Sequence, residues 1–234
     1  MNETTMTPEA QADALLDAIL THVPFDGWSE TAFKAAASDA GVAPEAARAA
    51  CPRGAFDLFV LFHKRGDAAM RARLQAADLD SMKVRERVTF AVRARIEAIG
   101  DREAVRRGST LFALPQNAAE GARLIWGTAD AIWDALGDPS DDINWYTKRA
   151  ILSGVYSSTV LYWLGDDSPG HQATWAFLDR RIEDVMRFEK VKGQVRGNAL
   201  LKPFLAGPEW LFSRVKAPSR SPRTDLPGNW PGRD

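Results

Sequence analysis

The sequence predicts an all-α bundle preceded by a helix-turn-helix-like head, and three observations carry that prediction. Apolar residues recur at helical spacing along most of the 234 residues. No run of alternating apolar and polar residues is long enough for a strand. The Gly, Pro and Asp residues that end helices gather in short breaks, while much of the proline is crowded into the end of the chain.

In chain order, a first helix is expected over residues 8–21, with Leu15, Leu16, Ile19 and Leu20 on one face, ending before Pro24. Ser29 is placed to cap a second helix that stops at Gly41, and Pro44 opens a very short third. Helix, Gly27-Trp28-Ser29, helix, turn and short helix is the spacing of a helix-turn-helix. From Phe56 onward a bundle follows, with helices expected at 54–77, 81–99, 101–113, 116–136, 141–164 and 170–193. Asp138-Pro139-Ser140 and Asp167-Ser168-Pro169-Gly170 are its clearest breaks. The domain reading is a degenerate helix-turn-helix head at 1–66, a helical bundle at 67–193, an amphipathic segment at 194–216 and a disordered Pro/Arg-rich tail at 217–234.

With 45% hydrophobic and 26% charged residues the chain can bury an ordinary core. The single Cys51 cannot form an intramolecular disulfide, and His22, His63 and His171 lack the spacing of a metal cluster. The N-terminus, with Glu3, Glu9, Asp13 and Asp17, has neither a signal-peptide core nor an Arg-rich transit character. A bacterial cytoplasmic protein is expected, peripheral on the inner face of the cytoplasmic membrane. Net charge is −1, but residues 190–234 hold nine Lys/Arg against three Asp/Glu. Such a basic end suits an anionic membrane surface or an acidic partner, or is simply solvated.

The head resembles the DNA-binding head of TetR-family regulators, which makes a repressor with an apolar effector pocket the alternative function. Two features oppose it. Residues 44–52, the recognition-helix position, hold almost none of the side chains that read base edges. Residues 1–66 carry five Lys/Arg against nine Asp/Glu, whereas DNA affinity rests on neutralised phosphates. No nucleic-acid partner is expected.

From Ala150 to Leu164 the chain is uncharged, which predicts a helix surrounded by protein; it is too short to span a membrane. Gly154, Ser153, Ser157 and Ser158 are small, while Tyr156, Tyr162 and Trp163 supply bulky walls, so a lined apolar cavity is expected beside it. Lys148 and Arg149 sit near the helix start, where the dipole disfavours cations, so a negative partner is required. Either Asp141 and Asp142 supply it, with Trp145 placed for a cation–π contact, or Arg149 receives a phosphate or polar ligand head.

Several motifs in order bear a family resemblance: Leu114-Pro115-x-Asn117, Gly137-Asp138, Asn144-Trp145-Tyr146-Thr147-Lys148-Arg149, Asp167-Ser168-Pro169 and Thr174-Trp175-x-Phe177-Leu178-x-x-Arg181. Over roughly residues 12–193 the chain resembles the ubiquinone (coenzyme Q) biosynthesis lipid-binding family, known for a TetR-like fold. The resemblance implies a homodimeric, non-catalytic accessory protein. It would bind isoprenoid quinones and phospholipids, and present quinone precursors to the demethoxyubiquinone hydroxylase. Carried over by position, Arg149 would contact a lipid head, with Tyr156, Tyr162 and Trp163 expected along the cavity. Asn144, Trp145, Tyr146 and the Leu114, Pro115, Asn117 corner would form the docking surface for the hydroxylase.

Past Gly197, Leu201, Phe204, Pro208, Leu211 and Val215 form one apolar stripe, with Trp210 and Phe212 suited to the headgroup level. Leu201, Phe204, Trp210, Leu211, Phe212 and Val215 are therefore candidate membrane contacts. No phosphate cradle, Glu-x-x-His pair or nucleophile motif occurs. No catalytic activity, cofactor or metal is expected.

Overall fold

A computed structural model of the chain describes residues 6–197 and 216–218, with the side chains of its last helix described as far as Arg187. The described residues form helices and connecting turns without a strand, as the periodicity predicts. The head consists of α1 (Pro8–Asp26), α2 (Glu30–Asp39) and α3 (Pro44–Ala50). The body consists of α4 (Ala55–Gln75), α5 (Val84–Glu97), α6 (Arg102–Ala113), α7 (Pro115–Ala135), α8 (Ile143–Leu164) and α9 (Gln172–Gly197), the last preceded by a 3-10 turn at Pro169–His171.

Side-chain caps set several of these starts. Ser29 accepts from the Ala32 N–H, Asp101 from Ala104 and Asp142 from Asn144, each relieving a donor that the helix leaves unpaired. The first helix continues through Pro24 to Asp26 instead of stopping before it. Pro24 lies in the last turn, so its ring removes only the donor that the Leu20 carbonyl would have used, and the Gly27 N–H closes the end on Val23.

Two apolar clusters meet along α4. Leu15, Leu16, Ile19, Phe33, Leu58 and Phe59 belong to the head core, and Met70, Leu74, Val92, Ile132, Leu152 and Leu178 to the body core. Phe62 packs against both, so head and body share an unbroken helix and a common apolar seam. Trp28 closes the seam by donating its indole N–H to the Ala104 carbonyl of α6 at 2.9 Å while its ring packs edge-on against Phe59. Gly108 is what lets α6 approach: a Cβ there would lie 2.0 Å from the Phe59 ring.

Helix α8 is less enclosed than its uncharged sequence predicts. Val155, Tyr156, Thr159 and Trp163 are buried, but Ala150, Gly154 and Tyr162 are exposed and Leu161 is 66% exposed. An uncharged helix face is therefore left open on the single chain. The stripe at Leu201–Val215 lies outside the described residues; of the expected tail, only Ala217 and Pro218 are described. Ala217 donates its backbone N–H to the Asp141 carbonyl at 2.8 Å, at the start of α8.

Gly108→Ala is expected to destabilise the protein by about 1–3 kcal/mol, because overpacking must displace Phe59 or push α6 away. Chemical denaturation followed by circular dichroism measures this, and an unchanged midpoint contradicts the close approach.

Candidate functional site

Two apolar cavities flank α8. One of about 400 Å³ lies between α4, α6, α7 and α8, walled by Phe59, Phe112, Ile125, Tyr156 and Val160, with exposed Ala113, Ala118 and Leu161 among its lining. The other, of about 290 Å³, lies between α5, α7, α8 and α9, walled by Val88, Trp133, Ile151, Leu152 and Ile182, with Arg85, Asn144 and Lys148 contributing polar atoms. Small residues shape the first: Gly121 brings α7 against Phe112, where a Cβ would stand 2.9 Å from the ring.

A buried polar cluster lies behind the wall of the larger cavity and reaches its lining at His63. Arg95 of α5 is almost wholly buried and donates from Nε to Asp67 Oδ1 at 2.6 Å and from Nη2 to the His63 carbonyl at 2.9 Å. Gly66 makes room for it, since a Cβ there would fall 2.6 Å from the guanidinium. Thr128 of α7 donates its hydroxyl to Asp67 Oδ1 at 2.8 Å, and His63 Nε2 lies 2.9 Å from the same hydroxyl oxygen. Burial, and then the Arg95 charge, push the His63 pKa down to about 4, against the opposing pull of Asp67 and the Leu124 carbonyl. The imidazole is therefore neutral at physiological pH. Tyr156 packs beside this cluster, with the Arg95 guanidinium 5.7 Å from its ring centre, and desolvation raises its pKa.

Arg149 lies at the opposite end of α8 from Trp163 and is fully buried. Its Nε donates to Asp130 at 2.5 Å and its Nη1 to Asp138 at 3.2 Å and to the Trp145 carbonyl at 3.2 Å, while Asp134 stands 3.7 Å from Nη2. The guanidinium also sits 4.0 Å from the centre of the Trp145 ring, the cation–π contact expected from their spacing. The negative partners are thus the carboxylates of α7 and the turn after it, not Asp141 and Asp142; they hold Nε and Nη1, while Nη2 is buried without a hydrogen-bond partner. Burial works against the charge on Asp138, but hydrogen bonds from Lys148, Ser140 and Arg149 outweigh it and hold its pKa below the ordinary range. Lys148 reaches Asp138 at 2.6 Å and Ser140 at 2.7 Å.

Of the other expected lipid contacts, Tyr156 lines the larger cavity. Tyr162 faces outward and stacks on Phe177 with ring centres 4.6 Å apart, and Trp163 is buried in the core beside His171, so neither lines these two cavities. A helix turns residues 156 and 162 to different faces, which the sequence reading merged. Trp145 and Tyr146 are half-buried and meet Trp126 of α7, with ring centres 4.8 Å apart within the pair and 6.0 and 6.5 Å from Trp126. Asn144 lines the smaller cavity. Leu114 and Pro115 are exposed at the start of α7, and Asn117 closes the corner by donating to the Leu111 carbonyl at 3.0 Å. The cluster residues His63, Asp67, Arg95 and Thr128 went unread in the sequence. The available signal was Arg95 set among Val88, Ala91, Val92 and Ile96 on a buried helix face.

Fold and cavities together define a TetR-like helical protein that encloses apolar space. A TetR transcriptional regulator from Nitrosomonas europaea ATCC 19718 superposes with a TM-score of 0.62 at 17% identity, over 74% of this chain and 95% of that one, which establishes the fold. The chain is a COQ9 homologue, and the COQ9 family model matches residues 118–189, the span of α7, α8 and part of α9. It is 32% identical over 198 residues to the mitochondrial ubiquinone biosynthesis protein COQ9 of Rattus norvegicus, covering 80% of this chain and 63% of that one. The Drosophila melanogaster counterpart is 32% identical, over 81% of this chain and 60% of its own length. The Homo sapiens counterpart is 30% identical, over 80% of this chain and 62% of its own length. The chain therefore spans under two thirds of the length of these relatives. Their mitochondrial location overturns the expected placement in a bacterial cytoplasm on the inner face of its membrane.

Replacing Arg149 by Ala, or Asp138 by Asn, is expected to cost about 3–5 kcal/mol, because either change strands buried charge. Since the folded-state pKa of Asp138 is depressed, its contribution is present above the unfolded carboxylate pKa of about 4 and is lost as pH falls through the lower folded value. Thermal melts between pH 7 and pH 3 test this: a wild-type protein that loses no more stability in acid than Asp138→Asn contradicts it.

Proposed function

We propose that the protein is a non-catalytic lipid carrier of ubiquinone biosynthesis, which takes an isoprenoid quinone precursor or a phospholipid into the cavity between α4, α6, α7 and α8. The observation that carries this reading is the cavity itself. Its walls are mostly apolar, with His63, Tyr156, Ser109 and Ser157 as the polar side chains among them, an arrangement suited to a hydrophobic tail with a polar head. The COQ9 relatives supply the pathway. No helix among the described residues is long and apolar enough to cross a membrane, and no cluster of metal-ligating side chains occurs among them. The reading has the chain touch the bilayer peripherally, through the stripe between Leu201 and Val215.

Delivery is assigned to one face of α7. Pro115 and Trp126 are eleven residues apart, close to three full turns, so both project from the same side at a separation of about 16 Å along the axis. The exposed Leu114–Pro115 corner beside the cavity and the Trp126–Trp145–Tyr146 cluster can thus form one docking surface for a hydroxylase such as that acting on demethoxyubiquinone. The open, uncharged face of α8 around Gly154 and Leu161 is assigned to a second copy of the chain, giving a homodimer.

The regulator alternative is not favoured by α3. Its one basic side chain, Arg48, is held by Glu30 at 2.5 Å and covers the Phe33 ring.

Native mass spectrometry with lipid extraction tests the carrier reading. The purified protein is expected to carry an isoprenoid quinone or phospholipid, and Val160→Trp, which fills the cavity, should abolish that load while the fold is kept. A load that survives the substitution places the lipid elsewhere. Leu161→Arg should convert a dimer to a monomer in sedimentation analysis; an unchanged sedimentation coefficient removes α8 from the interface.

A further inference from the structure

The polar cluster behind the larger cavity fixes the protonation pattern of His63. Thr128 has one hydroxyl proton, and its oxygen lies 2.8 Å from Asp67 Oδ1 and 3.2 Å from the Leu124 carbonyl, both of which can only accept. Asp67 Oδ1 also accepts from Arg95 Nε at 2.6 Å, so turning the Thr128 proton toward His63 would leave two bare oxygens in contact in a buried site. The proton therefore stays on the oxygen side, and His63 Nε2 must be the donor in its 2.9 Å contact with Thr128. A neutral imidazole that carries its proton on Nε2 has Nδ1 as a bare acceptor. Arg95 also bonds the His63 carbonyl, which fixes the backbone from which the ring projects.

His63 and Tyr156 both line the cavity, and the serine hydroxyls on its wall are turned inward to their own helices: Ser109 bonds the Val105 carbonyl and Ser157 the Ser153 carbonyl. We propose that this cavity selects ligands whose head ring carries a hydroxyl group, a phenol or hydroquinone attached to an apolar tail, and that His63 Nδ1 accepts the hydroxyl proton. An oxidised quinone, or a ring whose hydroxyls are all O-methylated, offers only acceptors to Nδ1 and is expected to bind more weakly. The proposal rests on the carrier reading above and adds to it the class of head group and the residue that reads it.

Calorimetric titration of the full chain with 4-hexylphenol and 4-hexylanisole separates the possibilities, since the two probes differ only in the donor. The expected result is a preference for the phenol of about tenfold or more, reduced to near unity in His63→Leu. Equal affinity in the wild type, or a preference that survives His63→Leu, overturns the assignment while leaving the cavity as a lipid site. Binding of neither probe overturns the cavity as a ligand site and the carrier reading with it. Nitrogen NMR of histidine-labelled wild-type protein gives a check that does not depend on a variant folding. A His63 ring protonated on Nε2, with Nδ1 responding to the phenol, supports the proposal, and a proton on Nδ1 overturns it.

Discussion

A guanidinium with no access to water has to be held by carboxylates, and Arg149 imposes that constraint on the whole lower body of the bundle. Asp130 on α7, Asp138 in the turn after it and the Trp145 ring on its own helix surround it. These bonds fix the height and rotation of α8 against α7, and such a pair is costly to break once buried even where its net contribution to stability is small. With α8 fixed, apolar space is left on two of its sides. Both cavities are consequences of where this helix is clamped.

A second buried guanidinium, Arg95, performs the corresponding task higher in the body. It joins α5 to α4 through Asp67 and the His63 carbonyl, and Thr128 ties the same carboxylate to α7. The two clamps differ in their surroundings. Arg149 is held at Nε and Nη1 by Asp130 and Asp138, with Nη2 buried without a hydrogen-bond partner, whereas the Arg95 cluster ends on a neutral imidazole at a cavity wall.

Much of the architecture was legible in the sequence because it is written in local signals. The helix caps at Ser29, the break at Asp138-Pro139-Ser140 and the cation–π spacing of Trp145 and Arg149 are all set within a few residues. The partners of Arg149 were not, because Asp130 lies nineteen residues away and is brought close only by helix packing. The facing of Tyr162 and the open side of α8 were missed for a related reason: an uncharged helix has the same sequence whether protein or empty space lies beside it. The polar cluster draws on α4, α5 and α7, and no motif spans three helices.

The account stands on the cavity between α4, α6, α7 and α8 being where an isoprenoid ligand resides, and photoaffinity mapping tests that most directly. A phenol bearing a short isoprenoid tail with a terminal diazirine, incubated with the full chain and irradiated, is predicted to label Phe112, Ile125 or Val160, the lining of that cavity. Labelling confined to Val88, Ile151 or Ile182 on the other side of α8, or to the outer surface alone, would contradict the account.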